Sequence, residues 1–161
     1  IRTQVEITLT DGTPVLSVTR ESLKPSPELV GTRGAGEQAA PVILDAGALQ
    51  PIARYALSPE ATRAYSSEGN AIHYNVEAAR AGGFRAPIIG GGQGVHLITA
   101  ALWQDGIDQM DVVIYFRRPI FWDESVWVGV MPDQSAVGLI KGEKVATEIQ
   151  IHNLARRPGS A

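Results

Sequence analysis

Apolar positions along the chain change their period several times, and each change marks an element. From Gln4 to Arg20, Val5, Ile7 and Leu9 alternate with polar residues, Asp11-Gly12 supplies a turn and Val15 opens a return arm. This predicts a β-hairpin, with Pro14 placed at a sheet edge or bulge because it has no N–H to give a ladder. Residues 24–41 gather Pro25, Pro27, Gly31, Gly34, Gly36 and Pro41 among few apolar side chains, the composition of a linker or long surface loop. Gln50–Leu57 predicts a strand, and Ser58-Pro59-Glu60 a short helix with Ser as N-cap and Pro at the first position. Asn75-Val76-Glu77 caps a second short helix, which Gly82 is expected to end in a left-handed conformation.

From Gly92 to Gln104 the period becomes helical. Val95, Ile98, Thr99, Leu102 and Trp103 form one stripe, and Leu97, Ala100 and Ala101 cover much of the other side, so a helix buried nearly all round is expected. His96 within it reads as a core histidine. The period then returns to two. Asp111–Arg117, Ser125–Met131, Ala136–Ile140 and Lys144–Ile151 read as strands, with Lys141-Gly142 turning between the last two. In the final arm Val145, Thr147, Ile149 and Ile151 alternate with Ala146, Glu148 and Gln150, as in a half-buried antiparallel strand. One long helix followed by an antiparallel meander predicts an α+β domain with the sheet wrapped around the helix.

With 161 residues, 44% of them hydrophobic and 19% charged, one domain with a substantial core is expected. Residues 42–161 supply it. The hairpin of residues 1–23 resembles the last one, Val137–Leu154, in arm length and glycine turn. Two accounts fit equally: residues 1–23 close a preceding unit of the same kind, or the two hairpins share only a common form. Beginning without Met and directly in a strand, the chain is consistent with a piece of a longer polypeptide.

Cysteine is absent, which excludes disulfides, thiolate nucleophiles and cysteine-bound zinc. His73, His96 and His152 lie far apart without metal-ligand spacing, so no metal is expected. The formal charge of −3, with basic residues single or in pairs such as Arg117-Arg118 and Arg156-Arg157, argues against a nucleic-acid partner. No apolar run is long enough to span a bilayer, and Ile1-Arg2-Thr3-Gln4 does not open a signal sequence; a soluble, cytoplasmic protein is the expectation.

Candidate chemistry concentrates in Ser66-Ser67-Glu68-Gly69-Asn70-Ala71-Ile72-His73 and in the Pro87-Ile88-Ile89-Gly90-Gly91-Gly92 run that opens the long helix. A carboxylate and an imidazole five positions apart can exchange protons with a bound water. A glycine-rich helix start offers N–H groups and a positive dipole end to a developing oxyanion. Arg63, Arg80 and Arg85 lie near the motif and read as ordinary surface arginines. Trp103, Trp122 and Trp127 read as packing or interface residues.

Residues 66–73 resemble the S-G-D-x-N-P-I-H signature of the MaoC-like (R)-specific enoyl-CoA hydratases and dehydratases. Gly83-Phe84-Arg85-Ala86-Pro87-Ile88-Ile89-Gly90-Gly91 resembles their following G-F-x-x-P-I-A-H-G. The resemblance runs in element order over residues 50–154. It implies the hot-dog fold and a hydro-lyase that adds water to, or removes it from, a 2-enoyl/3-hydroxyacyl thioester carried by coenzyme A or a carrier protein, with no further cofactor. By position it assigns Glu68 and His73 as the catalytic pair, Asn70 as a supporting residue, and Gly91 with Gly92 as donors to the thioester oxygen. It also implies a homodimer or paired hot-dog units, in some members within one chain. Glu68 stands where the signature has aspartate, moving the carboxylate outward by about 1.5 Å. Ala71 replaces the signature proline, and Gly90 the histidine of the second motif. A hot-dog acyl-CoA thioesterase, with Glu68 directing water at the carbonyl carbon, is one alternative reading. A catalytically silent hot-dog unit serving in dimerisation or binding is another.

Overall fold

The computed structural model describes residues 2–21, 43–66 and 69–158. The linker expected over 24–41 lies outside these. The chain divides into a unit up to Ala40 and a unit from Pro41 onward.

The first unit is the expected hairpin, β1 (Arg2–Thr8) against β2 (Pro14–Glu21). Gly12 turns at φ 86°, Asp11 Oδ1 accepts from Thr13 N at 2.9 Å, and the register slips beside Pro14, which pairs with Thr8. Val5 faces Val18 and Ile7 faces Leu16, so these four share one face of the ribbon, and all four are exposed within this chain.

The second unit contains β3 (Gln50–Ala56), α1 (Pro59–Ser66), α2 (Val76–Ala81), α3 (Gly91–Gln104), β4 (Ile107–Phe116), β5 (Ser125–Val130), β6 (Ala136–Lys141) and β7 (Lys144–Arg156). The five strands form one antiparallel sheet in the order β3-β5-β6-β7-β4. With α3 packed on it, the domain is α+β. Ser58 caps α1, its Oγ accepting from Ala61 N at 3.2 Å, and Asn75 caps α2 through Ala78 N at 2.8 Å. The left-handed residue after α2 is Gly83, at φ 84°, not Gly82, which keeps φ −78°. Gly82 N–H still closes a helical hydrogen bond to Ala78 O, so the chain reverses one residue later than expected.

Helix α3 sets Ile98, Ala101 and Leu102 against Val128, Val137, Leu139 and Ile149. It is not buried all round. His96 is exposed and Trp103, expected in the buried stripe, is 53% exposed, while Val95, Leu97 and Ala100 are half-buried. The sheet is covered on its other side by the segment before β3. Leu49, Ile140 and Val145 form a second cluster with Leu44, Ala46, Trp127 and Met131. Leu49 rests where β5 and β6 present the facing pair Gly129 and Gly138. A Cβ on Gly129 would lie 2.8 Å from Leu49 Cβ, and one on Gly138 would lie 2.9 Å from Leu49 Cδ1.

Strand β7 departs from the simple alternation. Leu139 pairs with Thr147 but Ile140 with Val145, so Ala146 is an extra residue, a β-bulge. Before the bulge Val145 faces the second cluster; after it Ile149 faces the α3 core. Ala146 O accepts from both Arg117 N (2.8 Å) and Arg118 N (3.1 Å). Glu148, expected on a solvated face, is 3% exposed beneath the covering segment. Its Oε2 accepts from Arg117 Nε and Nη2, both at 3.2 Å, and from Leu44 N at 3.4 Å.

Among the described residues no helix is long and apolar enough to cross a membrane, and no group of three or more His, Asp or Glu side chains is placed to hold a metal ion.

Candidate active site

The site is built around the start of α3. Asn70 closes a 3-10 turn over Ala71–His73: its Oδ1 accepts from Ile72 N at 3.3 Å and its carbonyl from His73 N at 3.1 Å. That turn brings His73 to Ile88 in a two-point clasp. Ile88 N donates to Ile72 O at 3.3 Å, and His73 Nδ1 lies 2.8 Å from Ile88 O. A carbonyl oxygen can only accept, so Nδ1 carries the proton and, in the neutral ring, Nε2 holds the lone pair. The stretch before α3 is held in turn by Ile120–Trp122. Ile88 bridges Phe121, Ile89 N donates to Ile120 O at 2.8 Å, and Trp122 N donates to Pro87 O at 3.1 Å.

Gly90 is the N-cap of α3 and offers no side-chain cap. Its carbonyl accepts from Gln93 N (3.0 Å) and Gly94 N (3.2 Å), the first bonds of the helix. The N–H groups of Gly91 and Gly92 precede those bonds, at the positive end of the helix dipole, where no carbonyl of the helix can reach them. Three aromatic rings stand over three successive glycines. A Cβ on Gly90 would lie 3.8 Å from His73 Nε2, one on Gly91 would lie 2.8 Å from Phe116 Cε1 and Cζ, and one on Gly92 would lie 3.8 Å from the Tyr65 hydroxyl. Tyr65 meets the exposed His96 edge-on, with ring centroids 5.9 Å apart. His96 is therefore a surface residue beside this corner and not a core histidine.

The structure thus brings His73, Gly91 and Gly92 together, with Asn70 capping the turn that carries His73. Glu68 lies outside the described residues. The arrangement can accept a proton at His73 Nε2 and donate hydrogen bonds from unpartnered backbone N–H groups to an oxygen beside it. Of the arginines near the motif, Arg85 is committed elsewhere. Its Nη1 and Nη2 each meet an Asp123 oxygen at 2.8 Å, and its guanidinium lies 4.0 Å from the centroid of the Phe121 ring. Those hydrogen bonds, then the Arg85 charge, hold the Asp123 carboxyl below its ordinary range. Arg63 stands over the Trp122 ring at 5.8 Å.

Sequence reasoning did not single out Phe116 or Tyr65 for the site. Phe116 ends β4 at the polar-apolar alternation expected of any strand, and only its close approach to Gly91 shows that it reaches the helix start. Tyr65 sits in the last turn of α1, directly before the motif, and that proximity was the one available signal.

The domain has the hot-dog fold, as found in the MaoC-like dehydratases. The MaoC-like dehydratase of Rhodospirillum rubrum superposes with a TM-score of 0.55 at 17% identity, over 66% of this chain and 89% of that one. The MaoC-like dehydratase of Phytophthora capsici gives 0.58 at 18% identity, over 94% of this chain but 56% of its own length. The ChsH1-ChsH2 complex of Mycobacterium tuberculosis gives 0.54 at 13% identity, covering 68% of this chain and 96% of the matched one. No protein-family model and no curated protein sequence matches the chain.

Proposed function

We propose that this chain is a hydro-lyase acting on a 2-enoyl/3-hydroxyacyl thioester, with acyl-CoA as the substrate class. The observation that carries the reading is the placement of His73. Its tautomer is set by Ile88 O and its Nε2 is turned to the glycine start of a helix that has no side-chain cap. In the hydration direction the oxygen of water bonds to C3 of the enoyl group and one of its protons goes to His73 Nε2. The π electrons move onto the thioester oxygen, which Gly91 N–H, with Gly92 beside it, holds as an enolate. The proton taken from water passes from His73 to C2 and the carbonyl re-forms, so that H and OH have been added overall and His73 is neutral again. Glu68 shares the water with His73 and relays that proton toward C2. Asn70 keeps the loop between them in register.

The dehydratases of the same fold support this reaction class, and the S-S-E-G-N-A-I-H stretch supports the assignment of residues. The chain is further proposed to work as paired hot-dog units. The first hairpin, with Val5, Ile7, Leu16 and Val18 exposed on one face, closes a preceding unit. The half-length match to the Phytophthora protein, which takes in nearly all of this chain, supports that plan, as does the two-component ChsH1-ChsH2 complex.

The test supplies crotonyl-CoA and, separately, a saturated acyl-CoA. A hydro-lyase consumes the enoyl absorbance and releases no thiol. Release of free coenzyme A from the saturated thioester, without loss of enoyl absorbance, would establish a thioesterase instead.

A further inference from the structure

We infer that Phe116 is a specificity-determining residue that restricts the site to enoyl thioesters bearing hydrogen on C2, the carbon next to the thioester carbonyl; this rests on the hydro-lyase reading above. Phe116 is 60% exposed, so core burial does not explain a phenyl ring at this position. What the ring does is cover Gly91. Any carbon attached to that Cα would lie 2.8 Å from two ring carbons, against the roughly 3.5–4.0 Å of an ordinary carbon contact.

The strand end that carries the ring is tied down at its backbone. Phe116 pairs with Thr147 on β7, and the next residue, Arg117, is held through its N–H by Ala146 O and through its guanidinium by Glu148. A thioester oxygen accepting from Gly91 N–H lies about 2.9 Å from that nitrogen. The adjoining C2 is then within a few bond lengths of the same residue, in space that the phenyl ring already borders. A hydrogen on C2 fits beside the ring as it stands, whereas a methyl adds a carbon against the ring edge and can enter only if the ring gives way.

The experiment compares kcat/KM for crotonyl-CoA and for its 2-methyl analogue in the wild type, Phe116→Leu and Phe116→Ala. Thermal melting of each protein confirms that it is folded. The wild type should favour crotonyl-CoA by about tenfold or more, the size of discrimination that one carbon produces in a shaped pocket. Phe116→Ala should bring the ratio near unity and Phe116→Leu should fall between. An unchanged ratio in an active Phe116→Ala overturns this inference and leaves the hydro-lyase reading standing, as does a wild type that hydrates both substrates equally. Failure of the folded wild type to hydrate either thioester overturns both.

Discussion

Glu148→Gln is the substitution whose cost follows most directly from the structure. The carboxylate is 3% exposed, and its Oε2 takes two N–H groups of Arg117 at 3.2 Å and Leu44 N at 3.4 Å, while Oε1 takes Gln150 Nε2 at 3.1 Å. Glutamine fills the same volume, but it has one acceptor oxygen and an NH2 group that cannot accept. It also leaves the Arg117 charge without a counter-charge at 13% side-chain exposure. Removing one partner of a buried pair costs about 3–5 kcal/mol. Arg117 keeps its stacking on Tyr115, 4.4 Å from the ring centroid, and some access to water, which places the expected loss near the lower end, about 3 kcal/mol. For a domain of this size that is a drop in Tm of roughly 10 °C. Urea denaturation followed by circular dichroism, on the wild type, Glu148→Gln, Arg117→Met and the double variant, measures it. The double variant should be more stable than Glu148→Gln alone, because no unpaired charge is left inside. A Glu148→Gln loss below about 1 kcal/mol, or simple additivity in the cycle, would refute the argument.

Two further outcomes follow from the same geometry. Gly138→Ala puts a methyl 2.9 Å from Leu49 Cδ1 and 3.1 Å from Ile140 Cδ1, and should cost about 1–3 kcal/mol through overpacking. Pairing it with Leu49→Ala should recover part of that loss in the same denaturation assay, and no recovery would show that the strain lies elsewhere. Because Arg85 depresses the Asp123 carboxyl, that pair stabilises the fold above the unfolded carboxylate value of about 4 and ceases to do so as pH falls through the lower folded value. Arg85→Gln should therefore melt slightly below the wild type near roughly pH 6, less so in high salt, and match it once the pH falls below the lowered folded value. A deficit that persisted in acid would point to lost packing on Phe121 instead.

Elements with a clean period were legible from residues alone. The hairpin, the Ser58 and Asn75 caps, the long helix with Ile98 and Leu102 on its core face, and the strand-rich second half are where propensity and pattern put them, whereas Trp103 of the predicted stripe is exposed and Ala101 takes its place in the core. The failures occur where register, not pattern, decides. The bulge at Ala146 carries Val145 to one face and Ile149 to the other, which no strict alternation announces. The first residues of β4 and the last of β7 were missed because register shifts at Ile107/Gln109 and Asp111/Val112 interrupt the alternation there. Burial of Glu148 depends on Leu44 and its neighbours folding back over the sheet, a contact across 104 positions. In the site, the motif made His73, Asn70 and the glycine run visible, and the Ile88 clasp accounts for their meeting. Phe116 was invisible because its role depends on a strand end reaching a helix start.

The most direct test of the central claim is the rate of crotonyl-CoA hydration by the wild type, Glu68→Gln, His73→Gln and the double variant, all shown to be folded. Two groups acting on one water should each be worth about a hundredfold to ten-thousandfold, and the double variant should fall little below the slower single one. Single variants that hydrate the substrate at the wild-type rate would contradict the assignment of this corner as the place where water is activated.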